Sequence, residues 1–249
     1  MKANIAHDLK KCLPYLLKAK EDNLNEADTS QRIVKVFEDV LGYDPLTEIY
    51  RELEVRSKYV DLTIKIEGAS KFFVEVKSAG TPLKARHIEQ GERYAAESNI
   101  QWVLLTNGVD WNLYHLTFDE GIEYEQAFAV TLSPDSVGQC AEMIGLLHRT
   151  SIRTGEHDKF WEHCTALSAA SIGRALFTED VMLFVRREIR RKHDILVGVE
   201  DIAAAIYSMF TEDSKARIGP PKIRIRKAKR AIAVSTPMAP VEPPTAGGI

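Results

Sequence analysis

The sequence predicts a mixed α/β protein, with helices flanking an antiparallel meander and a small helical region after it. Residues 25–44 carry apolar side chains at helical spacing, and residues 59–67 then alternate apolar and polar side chains. This change of period, from about 3.6 to two, marks the passage from helix to strand. Residues 158–214 return to helical patterns with no clear strand.

Two helices are predicted first. Residues 4–20 have an amphipathic pattern, within which Pro14 predicts a kink because proline removes a helical hydrogen bond. The second helix places Ile33 and Phe37 on one face. Gly42 follows as a C-terminal stop, a position where glycine is favoured.

A meander of strands is predicted next. The strongest patterns are residues 59–67 and residues 71–78, and residues 46–55 are a candidate third strand upstream of them. Gly68 lies in the short connection between the two strongest patterns. Glycine in a connection of this length predicts a tight hairpin, so these strands should pair with each other.

The rest of this region should supply one helix and two further strands. A helix is predicted over residues 82–98, and "WVLLTNG" from Trp102 reads as a buried strand. "WNLYHLTF" from Trp111 can pair with it, because Asn107 and Gly108 mark a tight turn. The predicted order is therefore α, α, β, β, β, α, β, β.

Three regions are expected along the chain: residues 1–150 as the α/β domain, 151–218 as the helical subdomain and 219–249 as a tail. Eight Lys or Arg residues and no acid fall between Lys215 and Arg230, although the whole chain has a net charge of −3. This stretch is either a nucleic-acid-binding arm or a solubilising tail. The Pro- and Ala-rich end that follows should be disordered.

The composition also indicates the cellular compartment in which the protein is expected. The three cysteines form neither a C-x-x-C pair nor a disulfide framework, which favours a reducing environment. The apolar runs are too short for a signal-peptide core or a membrane span. The expectation is a cytoplasmic protein with no membrane contact.

The predicted hairpin concentrates charge at one place. Asp61 and Glu75 are equidistant from Gly68, so they should oppose each other with Cβ atoms about 5 Å apart, and Lys77 lies one step further on the same face. Two carboxylates at that separation repel unless a cation lies between them, and Mg²⁺ prefers such oxygen ligands. An ordinary solvent-facing strand explains the same pattern, so the hairpin alone leaves both interpretations open.

Several motifs in order resemble a known family. They are "YVDLTI", "FVEVKSAGTPL", "HIEQGERYA" and "VLLTNGVDWNLY", preceded by "NEADTSQRIVKVFEDVLGYD". Together they resemble the N-terminal nuclease domain of type I restriction enzyme R subunits and the related predicted type IV restriction endonucleases, within the PD-(D/E)XK superfamily. The resemblance covers roughly residues 22–117 and implies a restriction-endonuclease-like mixed sheet.

The resemblance implies a catalytic centre. Asp61 and Glu75 would bind Mg²⁺, with Mn²⁺ as an alternative ion, and the backbone carbonyl of Val76 would be a further ligand. Lys77 would orient the attacking water and stabilise the charged phosphate. Val60 stands where the family name places proline, a departure that many members share.

Further positions follow from the same resemblance. Glu26 matches the acidic residue of the first helix of the family, and Glu38 competes for that role because it lies on the same helix. Gln90 and Tyr94 would correspond to a Q-x3-Y element that contacts DNA.

A DNA contact is also predicted outside the resemblance. Arg186 and Arg190 lie i, i+4 on a predicted helix, where they would either follow a phosphate backbone or form a solvated helix end.

The favoured function is a Mg²⁺-dependent DNA endonuclease in restriction or defence. The alternatives are a catalytically weak DNA-binding or assembly module with the same fold, and a repair or recombination nuclease. DNA is the expected partner. Because no G-x4-G-K-[ST] run is present, a motor or specificity factor would be a separate protein. A homodimer is compatible with the resemblance, although the sequence shows no dimer interface.

Overall fold

The structure is a computed structural model that describes residues 2–55, 58–88, 95–118, 121–221 and 223. Its contacts divide the chain into two compact units, Met1–Leu167 and Ser168–Ile249. The first unit contains a six-stranded sheet with helices, and the described part of the second contains helices only. The predicted mixed α/β class with a helical C-terminal region is therefore confirmed.

The first unit opens with two helices, α1 (Lys2–Glu21) and α2 (Glu26–Asp39). The helical assignment of α1 continues through Pro14. The Asn25 side chain caps α2 by accepting a hydrogen bond from the Asp28 backbone N–H at 2.9 Å. Gly42 has φ +74°, the left-handed conformation in which a chain commonly leaves a helix.

The sheet follows the chain in order. Its strands are β1 (Ile49–Val55), β2 (Lys58–Ile66), β3 (Ala69–Val76), β4 (Trp102–Thr106), β5 (Asp110–Thr117) and β6 (Glu123–Thr131). Neighbouring strands are antiparallel except β3 and β4, which are parallel. A parallel pair requires a crossover, and here the crossover includes a 3₁₀ turn at Ala85–His87.

The predicted hairpin between β2 and β3 is confirmed. Its turn residues Glu67 and Gly68 both have positive φ, and Ile66 pairs with Ala69. A bulge then shifts the register, because Ile64 pairs with Phe72 whereas Lys65 pairs with Ser70. The extra residue belongs to β3 and increases the local twist of the strand.

Both faces of the sheet are buried at β3. On one face, Val74 and Val76 pack with residues of α1 and α2 in the largest apolar core. On the other face, Phe73 packs with Val103 and with Ile88 of the crossover in a second core. The alternation predicted for β3 is present, but the expectation of a solvent-facing polar side is not met at this strand.

The strand β6 was not predicted. It lies at the edge of the sheet, most of its residues are exposed, and Phe128 is its one buried residue. An edge strand with a single buried position lacks the apolar alternation by which strands are recognised. Antiparallel pairing with β5 stabilises the strand conformation of β6, which its own sequence pattern does not indicate.

Three helices complete the first unit: α3 (Val137–Ile144), α4 (Arg149–Thr154) and α5 (Glu156–Ala166). Long-range hydrogen bonds hold this segment to the sheet unit. Tyr43 donates to the Leu147 carbonyl at 2.8 Å, and the Trp102 ring N–H donates to Asp158 at 2.9 Å. These bonds lie within the first compact unit, which extends to Leu167.

The second unit contains the helices α6 (Ala169–Leu176), α7 (Glu179–His193), α8 (Val199–Ser208) and α9 (Glu212–Ile218). Its core is small and centres on Phe177, Met182 and Ile202. Across both units, no helix among the described residues has the length and apolar character that a membrane crossing requires.

Candidate active site

The centre of the site lies where β2 and β3 come together. The paired residues Leu62 and Val74 place Asp61 beside Glu75 when the register is continued by one step. The Asp61 carboxylate accepts a hydrogen bond from the Val76 backbone N–H at 2.7 Å. This bond orients the carboxylate across the gap between the strands. The predicted proximity of Asp61 and Glu75 therefore agrees with the register.

Glu75 is an unusual carboxylate because it is almost fully buried, with 1% of its surface exposed. Its Oε1 atom contacts the Lys77 ammonium at 2.6 Å. Its Oε2 atom is buried without a hydrogen-bond partner among the described residues. Burial, reinforced by the charge of Asp61, raises the pKa of Glu75 to about 7, although Lys77 opposes this shift. The orphaned oxygen and the raised pKa both indicate a site that favours an additional cation.

Lys77 connects the acidic groups. Its Nζ atom lies 3.7 Å from Glu26 as well as 2.6 Å from Glu75, and its side chain is 18% exposed. Burial acts to lower the pKa of Lys77, but hydrogen bonding to Glu75 and the charges of Glu75, Glu26 and Asp61 outweigh it and raise the pKa. Lys77 is therefore held as a cation at the centre of three carboxylates.

The structure distinguishes between the two candidate acids of α2. Glu26 is the first residue of the helix and lies next to Lys77. Glu38 is twelve residues further on, which is about 18 Å along the helix axis at 1.5 Å per residue. It pairs instead with Lys35 at 3.0 Å. Of these two, only Glu26 reaches the site.

A cleft of about 320 Å³ opens beside the carboxylates. Its lining residues are Glu26, Ala27, Ser30, Gln31, Arg51, Asp61 and Val76. Four of them, Ala27 and the polar residues Ser30, Gln31 and Arg51, were not predicted from the sequence. Ser30 and Gln31 follow from helical spacing once Glu26 is placed, but a single exposed arginine in β1 carries no signal of its own. The cleft therefore combines two carboxylates with a guanidinium group and two neutral polar side chains.

The backbone after β3 is fixed by neighbouring loops. The Lys77 N–H donates to the Thr106 carbonyl at 2.8 Å, and the Ala79 N–H donates to the Leu24 carbonyl at 3.0 Å. The Asn107 side-chain amide donates to the Thr81 carbonyl at 3.0 Å. These bonds give a structural role to the "SAGT" and "TNG" segments, since they hold the end of β3 from which Lys77 projects.

Gly80, in the loop after β3, lies against the side chain of Asn23 in the loop before α2. A Cβ atom at this position would lie 2.1 Å from Oδ1 of Asn23, which is far inside van der Waals contact. Glycine therefore allows the loop before α2 to approach the loop after β3. This approach brings the start of α2, with Glu26, towards Lys77.

Some predicted positions lie elsewhere. Gln90 and Tyr94 lie outside the described residues. Arg186 and Arg190 lie on α7 in the second compact unit. Their roles therefore remain predictions.

The donor set suits a hard divalent cation. Asp61 and Glu75 supply carboxylate oxygens, and the Val76 carbonyl should face the same gap because the N–H and C=O of a strand residue point to the same side. Oxygen ligands alone, with places left for water, are typical of Mg²⁺ sites. No group of three or more His, Cys, Asp or Glu side chains within the described ranges is arranged to hold a metal. The backbone carbonyl would therefore be needed as a third protein ligand.

Comparison with known proteins gives one family match. Residues 25–127 match the family described as Type I restriction enzyme R protein N terminus (HSDR_N). No curated protein matches the chain, and no solved structure matches it. The matched segment includes Glu26, Asp61, Glu75 and Lys77, so the resemblance predicted from the sequence is confirmed for the segment that carries the site.

Proposed function

We propose that this protein is a metal-dependent DNA endonuclease of the PD-(D/E)XK type that acts in restriction or defence. The observation that carries the proposal is Glu75, a buried carboxylate with an orphaned oxygen, beside Asp61 and in contact with Lys77. A purely structural strand gains nothing from burying a carboxylate next to a second one. The match to the type I restriction enzyme R protein N terminus supports the role in restriction.

In this proposal Asp61, Glu75 and the Val76 carbonyl hold Mg²⁺, with Mn²⁺ as an alternative ion. The ion would supply Lewis-acid stabilisation of the charge that develops on the phosphate. Asp61 is already positioned by its 2.7 Å hydrogen bond from Val76. Glu75 brings an oxygen with no competing hydrogen bond among the described residues.

Lys77 would act on the nucleophile and on the phosphate. Its ammonium group is kept charged and is held by Glu75 and Glu26, so it can donate a hydrogen bond to a water beside these carboxylates. In-line attack of that water on phosphorus forms one P–O bond while the P–O bond to the leaving oxygen breaks; the attacking water gives up one proton to the surrounding solvent, and the leaving oxygen takes one up from it. The same ammonium offsets negative charge on the non-bridging oxygens as this occurs.

Arg51 would bind the substrate strand. It lines the same cleft as Gln31, Ser30 and the two carboxylates Glu26 and Asp61. A guanidinium group binds phosphate with two parallel hydrogen bonds, which fixes position as well as charge. Arg51 would therefore hold a phosphate of the strand being cut and place the next one over Lys77.

A second candidate function is a DNA-binding or assembly module with weak catalysis. The 2.6 Å contact between Lys77 and Glu75 favours it, because this ion pair can neutralise the buried carboxylate without a metal. DNA would be the partner in both cases, and other restriction proteins would be further partners of the complex.

Plasmid cleavage with Mg²⁺ or Mn²⁺ tests the proposal. The wild type should nick or linearise plasmid, whereas Asp61→Asn and Lys77→Met should each reduce the rate by about 10²–10³. Lys71→Met is the matched control, since Lys71 is also on β3 but is not part of the cleft. Equal cleavage by all four proteins would refute the assignment. DNA binding without cleavage by the wild type would select the second candidate.

A further inference from the structure

The second unit has a cleft that the proposed catalytic site does not use. Its volume is about 520 Å³, within the range of about 300–1,000 Å³ typical of ligand sites. It is lined by Asp180, Leu183, Phe184, Arg186, Arg187, Arg190 and Leu196. All but Leu196 belong to α7, so one helix supplies most of the surface. These seven residues form the α7 cleft.

The three arginine side chains of the α7 cleft can bind an anion. Arg186, Arg187 and Arg190 each lack an acidic partner within ion-pair distance in the part of the chain that the structure describes, whereas the neighbouring Arg191 pairs with Glu188. Asp180 is the one acid in the lining. The cleft therefore has a net positive charge, and its guanidinium groups can each bind a phosphate with two hydrogen bonds.

Apolar groups lie among these cations. Phe184 is 54% exposed and Leu196 is 72% exposed. The Arg187 guanidinium lies over the Phe184 ring, 5.1 Å from its centroid. An exposed aromatic ring bordered by guanidinium groups is the arrangement by which proteins stack a nucleobase and bind the flanking phosphates.

We propose that the α7 cleft binds single-stranded nucleic acid, with a base against Phe184 and phosphates on Arg186 and Arg190. The choice of a nucleic acid over an acidic peptide rests on the proposed nuclease function of the first unit. The choice of a single strand rests on Phe184 and Leu196, because a duplex presents phosphates but keeps the faces of its bases stacked inside. The cleft lies outside the segment matched by the restriction-enzyme family.

Fluorescence anisotropy with the full-length protein tests this proposal. The probes are a labelled 15-nucleotide oligothymidine and a blunt 15-base-pair duplex, each in EDTA so that no cleavage occurs. Phe184→Ala should weaken binding of the single strand about 5- to 100-fold and leave duplex binding unchanged. Ile172→Ala is the matched control, since Ile172 is an exposed apolar residue of the same unit outside the cleft. Phe184→Trp should retain binding and show quenching of its fluorescence.

Salt titration tests the phosphate contacts separately. The slope of log K against log salt should fall in magnitude by about 0.7 for each phosphate contact removed by Arg186→Gln or Arg190→Gln. Arg174→Gln, which removes a charge from α6 outside the cleft, should leave the slope unchanged.

Two results would overturn the proposal. One is an equal effect of Phe184→Ala and Ile172→Ala on oligothymidine binding while Phe184→Trp shows no quenching. The other is binding of poly-glutamate as tight as that of oligothymidine, which would make the cleft a site for acidic protein. If the wild type did not cleave plasmid but still bound the single strand, the result would count against the nuclease assignment alone. The two proposals therefore fail in distinguishable ways.

Discussion

Replacement of Glu75 by glutamine should make the stability of the protein less dependent on pH in the absence of metal, so that the variant gains stability relative to the wild type as the pH rises. The Glu75 carboxylate is 1% exposed, and burial together with the charge of Asp61 raises its pKa to about 7, from the ordinary value of 4.5. The folded wild type therefore holds a proton that the unfolded chain releases at a lower pH. Glutamine keeps the shape of the side chain and removes this titration.

The size and sign of the effect follow from the two pKa values. Below pH 4.5 both states are protonated at Glu75, and the group contributes nothing to the pH dependence. Between pH 4.5 and 7 the folded state binds more protons than the unfolded state, so the wild type loses about 1.4 kcal/mol of stability per pH unit. The loss amounts to about 3 kcal/mol by pH 7 and is constant above it. The advantage of Glu75→Gln should grow by the same amount over this range.

Urea unfolding at several pH values between 5 and 8, in EDTA, measures this difference. The comparison uses the slope with pH, because the Lys77–Glu75 contact is already part of the raised pKa of Glu75, which Lys77 acts to lower. Glu38→Gln is the control, because Glu38 is an exposed carboxylate of α2 that pairs with Lys35. Parallel curves for Glu75→Gln and the wild type from pH 5 to 8 would refute the reasoning, since Glu75 would then ionise without penalty. Added Mg²⁺ should stabilise the wild type at pH 8 and have little effect on Glu75→Gln.

Two further predictions concern substrate binding and the fold. Arg51→Gln should lower kcat/KM for plasmid cleavage about 10- to 100-fold, and Arg51→Lys should recover part of this loss. Steady-state kinetics measures kcat/KM, and calorimetry should show that the affinity for Mg²⁺ is unchanged. Full activity of Arg51→Gln would exclude a phosphate contact. Arg149→Ala should lower the free energy of unfolding by about 2 kcal/mol, because it leaves the buried Glu48 carboxylate, now 2.7 Å from Arg149, without its cation. Urea unfolding should show that adding Glu48→Gln recovers part of this loss, and an additive double variant would contradict the reasoning.

The site is linked to the fold through bonds that sequence spacing does not show. The loop before α2 contacts the loop after β3, where the Asn23 side chain lies against Gly80 and the Ala79 N–H donates to the Leu24 carbonyl, and this contact brings Glu26 to Lys77. Asn107, at the turn after β4, reaches Thr81 in the loop after β3. These contacts give Gly80 and Asn107 a structural role around the candidate site on the hairpin.

The sequence by itself determined the elements whose pattern is local. Alternation within a strand and the glycine of a two-residue turn are set by neighbouring residues, so the hairpin and the pairing of Asp61 with Glu75 could be predicted. The symmetry about Gly68 used for that prediction holds because of a bulge in β3, since the turn itself pairs Ile66 with Ala69. Without the extra residue of the bulge, the register would place Glu75 opposite Val60.

Only the tertiary structure decided the properties that depend on distant segments. Glu75 is buried because β4 pairs with β3 in parallel and the crossover covers the second face of the sheet, which no local pattern specifies. The same assembly selected Glu26 over Glu38 and added Arg51 to the cleft. A residue type fixes what a side chain can do chemically, whereas its pKa and its partners are set by which remote elements exclude water from it.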